Sequence, residues 1–234
     1  MILPALSARD ELVREQMDDP TCDPDRLERT YAAFRQVNAA VAGWRTAYRR
    51  RLRPLLRTDG PTTMLDIGCG GGDVARALNR WARHDGHDLR VTGIDPDPRA
   101  HAWARGRPPV AGVQFRRAHS RDLVADGERF DLVISNHLLH HLDPDQLHGL
   151  LEDSARLARS AVVHSDIRRG RLAYALFSAG TWPLFPGTFI REDGLTSIRR
   201  SYSAPELRAR VPDRWDVSTP GRFRLLLTLD GHAP

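Results

Sequence analysis

Residues 64–73 read Met-Leu-Asp-Ile-Gly-Cys-Gly-Gly-Gly-Asp, a short apolar run that ends in a glycine-rich turn. Gly68, Gly70 and Gly72 stand at alternate positions, directly after the predicted strand 63–67 and before a predicted helix. Glycine permits a tight turn and lets a bound molecule approach the backbone closely, beside a helix N-terminus. This order of strand, turn and helix predicts an α/β fold with a ligand site at the turn.

Similar short apolar runs follow along the chain and alternate with helical patterns. Predicted strands cover 63–67, 89–94, 113–116, 130–135 and 161–165, and one intervening helix begins at Asp143-Pro144 and ends near Leu157. Alternation of this kind indicates a parallel sheet with helices on both faces. Two closing strands, 214–219 and 223–229, complete a predicted Rossmann-like, doubly wound sheet of seven strands.

The segment before this sheet is predicted to be helical. Asp23 is a suitable N-cap and Pro24 suits the first helical position. Apolar residues then recur at three- and four-residue spacing, and Pro54 predicts a break in the helical region. We therefore expect an N-terminal helical extension over 1–57 and a catalytic domain over 58–234.

Composition narrows the class of protein. The chain has 234 residues, 41% of them hydrophobic, which suits one α/β domain with a helical addition. Two cysteines, Cys22 and Cys69, are too few for a disulfide framework and are typical of a reducing compartment. No apolar run approaches the ~20 residues of a membrane span, and the first residues do not resemble a secretory leader. These features predict a soluble, cytoplasmic protein that has no membrane partner.

The charge of the chain is only modestly basic. The formal net charge is +5, and every basic residue is arginine, a bias typical of GC-rich coding sequences. The densest cluster, 49–53, is interpreted as the solvated face of a helix, so no nucleic-acid partner is expected.

Two carboxylates mark the expected ligand site. The glycine turn has the form Asp-x-Gly-x-Gly-x-Gly rather than the Gly-x-Gly-x-x-Gly of nicotinamide sites. Asp66 at the strand end suits a cationic group and would repel a pyrophosphate. Asp95 ends the next strand and can accept hydrogen bonds from both hydroxyls of a ribose.

Together these segments resemble motifs I and II of class I S-adenosylmethionine-dependent methyltransferases, and the resemblance extends from about Asp66 to Asp166. It implies S-adenosylmethionine as the cofactor. The residues that it places around the cofactor are Asp66, Gly68, Gly70, Gly72, Asp95, Pro96, His119, Ser120, Asn136 and His137.

Within that set, one position departs from the family pattern. His119 stands where the family usually has an aspartate that accepts a hydrogen bond from the adenine amino group. A neutral imidazole nitrogen or a backbone carbonyl can accept the same bond. Asn136 and His137, at the end of the fourth strand, are expected beside the methionyl part of the cofactor.

Candidate catalytic residues follow the fourth and fifth strands. Three histidines at 137, 140 and 141 suggest a metal, but the sequence shows no supporting carboxylate or cysteine grouping, so no metal is expected. The resemblance favours His140 as the base that takes the proton of a phenol. His141 is a weaker candidate and is expected to pack under the sheet. Asp166 ends the fifth strand, where it either orients the acceptor and the base or forms an ion pair with a nearby arginine.

A narrower resemblance concerns the acceptor. The 23–57 helical region, the His140-His141 pair, the 166–169 turn and the 192–200 segment resemble bacterial methyltransferases of polyketide, antibiotic and other specialised-metabolite biosynthesis. This implies an aromatic or polyketide-like small molecule, with the N-terminal helices and the 182–185 loop as a lid over an apolar pocket. A homodimer is compatible with this interpretation.

The predicted activity is therefore O-methylation of a phenolic or enolic small molecule. C-methylation of an activated aromatic ring uses the same base and remains an alternative. An RNA or protein methyltransferase is disfavoured, because no RNA-binding module is recognisable and Ser135-Asn136-His137-Leu138 replaces an Asn-Pro-Pro-Tyr-like motif. A catalytically silent cofactor-binding subunit is the remaining alternative.

Overall fold

A mixed sheet forms the centre of the computed structural model, which describes residues 6–182 and 184–231. Its strands are β1 Thr62–Ile67, β2 Leu89–Ile94, β3 Val113–Arg116, β4 Phe130–Asn136, β5 Ala158–Ile167, β6 Asp216–Ser218 and β7 Arg224–Asp230. Their order is β3-β2-β1-β4-β5-β7-β6, and only β7 runs antiparallel to its neighbours. The predicted seven-stranded, doubly wound Rossmann-like sheet is confirmed.

Helices connect and flank these strands. They are α1 Pro24–Val41, α2 Trp44–Ala47, α3 Asp73–His84, α4 Pro98–Gly106, α5 Ser120–Ala125, α6 Pro144–Leu157, α7 Arg171–Thr181, α8 Ile190–Arg200 and α9 Ala204–Arg208. Short 3-10 turns cover Gln16–Asp18, Arg53–Leu55 and Leu139–His141, and a π turn covers Tyr48–Leu52. Among the described residues, none of the helices combines the length and apolar character of a membrane span. Residues 1–5 and 232–234, and Pro183 of the expected lid loop, lie outside the described residues.

Several helices begin where local sequence signals place them. The Asp23 carboxylate accepts a backbone N–H of the first turn of α1 at 3.0 Å. At the start of α6, Asp143 and Gln146 exchange side-chain to backbone bonds of 2.8 and 3.0 Å. Ser203 and Glu206 form the predicted capping box of α9, with a backbone bond of 2.7 Å. These signals are readable because each one satisfies backbone N–H groups of its own helix.

Helix α8 has no such signal in the sequence and was not predicted. Its inward face carries the polar side chains of Asp193, Ser197 and Arg200, which are 4%, 6% and 2% exposed. The Asp193 carboxylate accepts the backbone N–H groups of Gln16 and Met17 at 2.7 and 3.0 Å. A helix whose buried face is polar lacks the apolar periodicity from which helices are recognised.

The two faces of the sheet support two hydrophobic clusters. Successive residues of a strand point to opposite faces, so Met64 belongs to one cluster and Leu65 to the other. The Met64 face is covered by α3 and by residues of the N-terminal region, including Trp44, Tyr48 and Leu52. The N-terminal region therefore shares a core with the sheet, while the division at residue 57 stays a prediction.

Helix α1 packs over the end of the sheet that carries the glycine turn. Leu27 and Tyr31 form a small cluster with Ala100 of α4 and with Phe189. Because α4 follows β2, this packing places α1 above the carboxyl ends of the parallel strands. That edge is where ligands bind in open α/β sheets.

Candidate active site

The glycine turn between β1 and α3 has the conformation that its sequence predicts. Gly68, Gly70 and Gly72 have φ values of 66°, 52° and 75°, a region that residues with a β-carbon rarely adopt. A β-carbon at Gly72 would also overlap the ring of Phe115. A β-carbon at Gly70 would meet nothing within 4 Å, so this part of the turn is open to close approach by a bound molecule.

Negative charge concentrates behind this turn. Asp66 is 1% exposed, and neither of its carboxylate oxygens has a hydrogen-bond partner among the described residues. Burial, with the charges of Asp73 and Asp95 nearby, raises the pKa of Asp66 well above its usual value. The Asp73 carboxylate accepts a hydrogen bond from Asn38 of α1 at 3.0 Å. A positively charged ligand group would relieve the repulsion among these carboxylates.

Asp95 lies at the end of β2 and faces the same turn. Its carboxylate accepts the backbone N–H groups of Gly70 at 2.8 Å and of Asp97 at 3.0 Å. Each carboxylate oxygen keeps further acceptor capacity. The side chain is partly exposed, as a group that binds hydroxyls needs to be, and Pro96 beside it is exposed.

His119 and Ser120 are the N-cap and the first residue of α5, the helix that follows β3. The backbone N–H of His119 donates to Asp122 at 2.8 Å and its side chain is exposed. The Ser120 hydroxyl donates to Asp153 of α6 at 2.6 Å. Ser120 is thus tied to α6, and His119 forms a capping box with Asp122 at the start of α5.

His140 lies in the turn after β4 and is completely buried. Asp166 at the end of β5 holds it through two contacts: the imidazole Nδ1 is 2.7 Å from Oδ1, and the backbone N–H of His140 donates to Oδ2 at 2.9 Å. Asp166 therefore fixes both the ring orientation and the turn that carries it.

The opposite ring nitrogen of His140 meets a residue of the N-terminal segment. Its Nε2 is 3.2 Å from Oε1 of Glu15, which is 5% exposed and also accepts the Ser197 hydroxyl at 2.7 Å. His140 thus lies between two buried carboxylates.

These contacts determine the charge state of the group. Burial disfavours the imidazolium form of His140, but the charge and hydrogen bond of Asp166, together with Glu15, outweigh burial and raise its pKa to about 9. Burial likewise disfavours ionised Glu15, yet His141 and His140 lower its pKa to about 2. The three side chains form a charged carboxylate–imidazolium–carboxylate array at neutral pH.

His141 lies beside this array, and the expectation that it packs under the sheet is wrong. Its side chain is 25% exposed, with Nδ1 3.2 Å from Asp18 and Nε2 3.6 Å from Glu15. Both carboxylates belong to the N-terminal segment, so the ring of His141 lies against that segment and partly in solvent. Glu15, His140 and His141 each bring one potential metal ligand within 4.8 Å of the others, a carboxylate-containing group that the sequence did not reveal.

Asn136 and His137, at the end of β4, contact Trp44 and Arg224. Asn136 Oδ1 accepts hydrogen bonds from Trp44 Nε1 at 2.9 Å and from Arg224 at 3.1 Å. His137 has a φ of 56° and directs its Nε2 to the same arginine. Burial and the charge of Arg224 hold the pKa of His137 well below its usual range, so the ring is neutral.

Part of the chain matches a known protein family. Residues 64–161 match the sequence model of the methyltransferase domain. The chain carries a methyltransferase domain. Its class, the S-adenosylmethionine-dependent methyltransferases of class I, was predicted from the sequence and is confirmed over this span.

Relatives of this methyltransferase domain differ in length from the chain. A ubiquinone biosynthesis O-methyltransferase of Methylobacterium sp. (strain 4-46) is 35% identical over 119 residues, which are 48% of this chain and 39% of that protein. The chain thus matches well under half of that relative's length.

Solved structures show the same fold over most of the chain. Magnesium protoporphyrin IX methyltransferase from Synechocystis PCC 6803, with bound S-adenosylhomocysteine, has a TM-score of 0.54 and 18% identity, covering 88% of this chain and 86% of that one. Human N-acetylserotonin methyltransferase in complex with S-adenosylmethionine has a TM-score of 0.63 and 13% identity, covering 90% and 57%.

Within the methyltransferase domain, the predicted site residues fall into two groups. Asp66, Asp95 and the glycines surround the turn after β1, whereas His140 and Asp166 meet after β4 and β5. The assignment of individual contacts to cofactor or acceptor stays a prediction.

Sequence reasoning missed four residues of this site. Tyr31 and Trp103 stack with ring centroids 5.9 Å apart, and the Trp103 ring would lie 3.1 Å from a β-carbon at Gly71. Glu15, Trp44 and Arg224 are the other three missed residues, whereas Tyr31 belongs to the apolar spacing that predicted its helix. None of the four leaves a pattern in the sequence, because each one reaches the site from a distant part of the chain.

Proposed function

We propose that the chain is an S-adenosylmethionine-dependent O-methyltransferase that acts on a phenolic or enolic small molecule. The observation that carries this proposal is the buried Asp166–His140–Glu15 array, located after β4 and β5 at the sheet edge that also carries the glycine turn. A histidine that a carboxylate orients is a suitable proton acceptor for a hydroxyl group.

The residues of the glycine turn fit the cofactor. The partnerless carboxylate of Asp66 suits the ammonium group of its methionyl part, and Asp95 suits the two ribose hydroxyls. When bound, S-adenosylmethionine supplies a methyl group on a cationic sulfur that leaves as a neutral thioether. Asn136 and His137, at the end of β4, would border the methionyl part.

The acceptor would approach His140 from the side of Nε2. Asp166 occupies Nδ1, so only Nε2 can turn to an acceptor hydroxyl, and Glu15 has to withdraw from it. Loss of this carboxylate partner lowers the pKa of His140, because fewer negative charges then stabilise the imidazolium. Withdrawal of Glu15 with the Nε2 proton of His140 would leave this nitrogen free to accept the proton of the acceptor.

An aromatic or polyketide-like acceptor from specialised metabolism is part of the proposal. Apolar side chains on α7 and after it support this class, since Leu172, Leu176 and Trp182 are 49%, 54% and 74% exposed. An apolar surface of this kind suits the binding of a flat, largely apolar molecule.

Two measurements test the proposed function. Calorimetry is expected to show binding of S-adenosylhomocysteine and no binding of NAD, and tighter NAD binding would refute the cofactor assignment. Incubation with methyl-labelled cofactor and a panel of phenols, polyketides, tRNA and peptides is expected to label phenolic compounds. Labelling confined to tRNA or peptides would refute the acceptor class.

A further inference from the structure

Arg224 is a buried cation at the carboxyl edge of the sheet. It is the first residue of β7, opposite Ile167 of β5, and 8% of its surface is exposed. Its guanidinium donates to Asn136 Oδ1 at 3.1 Å, to Ser165 Oγ at 2.6 Å and to the Nε2 of His137.

None of these three partners carries a negative charge. Across residues 6–182 and 184–231, no carboxylate oxygen lies within 4.0 Å of the Arg224 guanidinium, and its Nε has no hydrogen-bond partner. Buried arginines are normally paired, as Arg169 is with Glu206 at 2.6 Å. The positive charge of Arg224 is therefore uncompensated at hydrogen-bond range.

Asp166 does not supply the missing charge. Its carboxylate already accepts two bonds from His140, at 2.7 and 2.9 Å, and one from the backbone N–H of Ile167 at 2.6 Å. The negative charge of Asp166 is paired with the imidazolium of His140. Asp166 attracts Arg224 only at a distance beyond hydrogen-bond range.

Arg224 is nevertheless close to the proposed base. The ring of His137, which the guanidinium contacts, has its centroid 6.3 Å from that of His140. The same arginine contacts Asn136, and Trp44 holds the other side of that amide. The guanidinium thus lies one side chain away from His140, at the same end of the sheet.

We infer that Arg224 binds the ionised oxygen of the acceptor. This inference rests on the proposed function and specifies its substrate class as molecules whose reacting group becomes an oxyanion, a phenolate or enolate. Glu15 withdraws as a neutral carboxylic acid with the Nε2 proton of His140. The O–H bond of the acceptor then breaks, its proton goes to the freed Nε2 of His140, and its electron pair stays on the oxygen, beside Arg224. The oxyanion replaces one of the neutral partners of the guanidinium.

The test uses 4-nitrophenol, whose phenolate absorbs visible light and whose neutral form does not. The wild-type protein, saturated with S-adenosylhomocysteine, is titrated with this probe across a pH series. A cation in contact with the bound oxygen should lower the pKa of the bound probe by about one to three units. Arg224→Gln should abolish this shift, and Arg224→Lys, which keeps the charge, should retain part of it.

Arg222→Gln is the matched control, because Arg222 precedes β7 by two residues and is exposed. It removes the same charge from the same edge and should leave the shift intact. Circular dichroism and thermal unfolding establish which variants are folded. If Arg224→Gln does not fold, the shift in Arg224→Lys decides the case: it should be smaller than the wild-type shift, and an equal shift would contradict the inference.

Three results would overturn the inference. One is a wild-type protein that does not bind the probe or does not lower its pKa, and another is an unchanged shift in folded Arg224→Gln. The third is a loss of S-adenosylhomocysteine affinity in Arg224→Gln with the probe shift retained, which would assign the charge to the carboxylate of the cofactor. Failure of the wild-type protein to bind S-adenosylhomocysteine is a different outcome, because it would refute the proposed function itself.

Discussion

Replacement of Glu15 by glutamine tests the charged array directly. Glutamine keeps the size of the side chain and a carbonyl oxygen for the Nε2–H of His140, but it removes one of the two carboxylates. Two changes are expected: a loss of stability that depends on pH, and a lower pKa of His140.

The size of the stability loss follows from the pKa of Glu15. That pKa falls from 4.5 to about 2 in the folded protein, chiefly because the charges of His141 and His140 outweigh burial. At ~1.4 kcal/mol for each pH unit, ionised Glu15 stabilises the fold by about 3 kcal/mol relative to its protonated form. Glu15→Gln resembles that protonated form and should lose a similar amount.

The sign of the pH dependence follows from both partners. Because the pKa of Glu15 is lowered, its contribution is present above pH 4.5 and is lost as the pH falls towards 2. Because the pKa of His140 is raised, its contribution is complete below pH 6.5 and is lost as the pH rises through about 9. The wild-type and variant proteins should therefore differ most between pH 4.5 and 6.5, and less both as the pH falls towards 2 and as it rises above about 9.

Urea unfolding followed by circular dichroism at several pH values measures this difference. Glu28→Gln, an exposed position on α1, is the matched control and should not change the free energy of unfolding. With a phenolic acceptor, the acid limb of kcat/KM should move to lower pH in Glu15→Gln, because His140 loses its proton more readily. An equal loss of stability at pH 6 and pH 10, or an acid limb that does not move, would refute the array.

Four further outcomes are expected. Asp95→Ala should weaken S-adenosylhomocysteine binding in calorimetry by about 1–3 kcal/mol through lost hydrogen bonds, and unchanged affinity would remove Asp95 from the cofactor site. His140→Ala should lower turnover ~10²–10⁴-fold without changing cofactor affinity, and the loss should be smaller for acidic phenols and at high pH. If turnover depends on His141 instead, the base is His141. Exhaustive chelation should leave activity intact, and a loss that magnesium or zinc restores would make Glu15, His140 and His141 metal ligands. A variant starting at Thr58 should lose methyl transfer, and full turnover of the shortened protein would refute the expected lid.

The glycine turn and the position of the two carboxylates beside it were predictable because their structural requirements are local. Gly68, Gly70 and Gly72 are needed where the backbone has positive φ, and Asp66 and Asp95 follow directly from the ends of two strands. Short-range chemistry of this kind leaves a readable pattern in consecutive residues.

The same holds for most elements of the fold. β2 and β3 have the predicted bounds, since their apolar runs are short and end at polar residues. β5 runs from Ala158 to Ile167, beyond the predicted 161–165, because the additional residues pair with strands distant in sequence. Helix α8 was missed for a related reason: its buried polar face is satisfied by the N-terminal segment.

The sequence by itself determined the class of fold, the glycine turn, the position of Asp66 and Asp95 at two strand ends and the candidate His140, because each depends on neighbouring residues. Tertiary structure alone decided what surrounds that histidine. Glu15 reaches His140 across 125 positions of the chain, and Arg224 reaches Asn136 across 88. Such contacts leave no periodic trace in the sequence, since a charge that is buried by distant segments is matched only after the chain has folded.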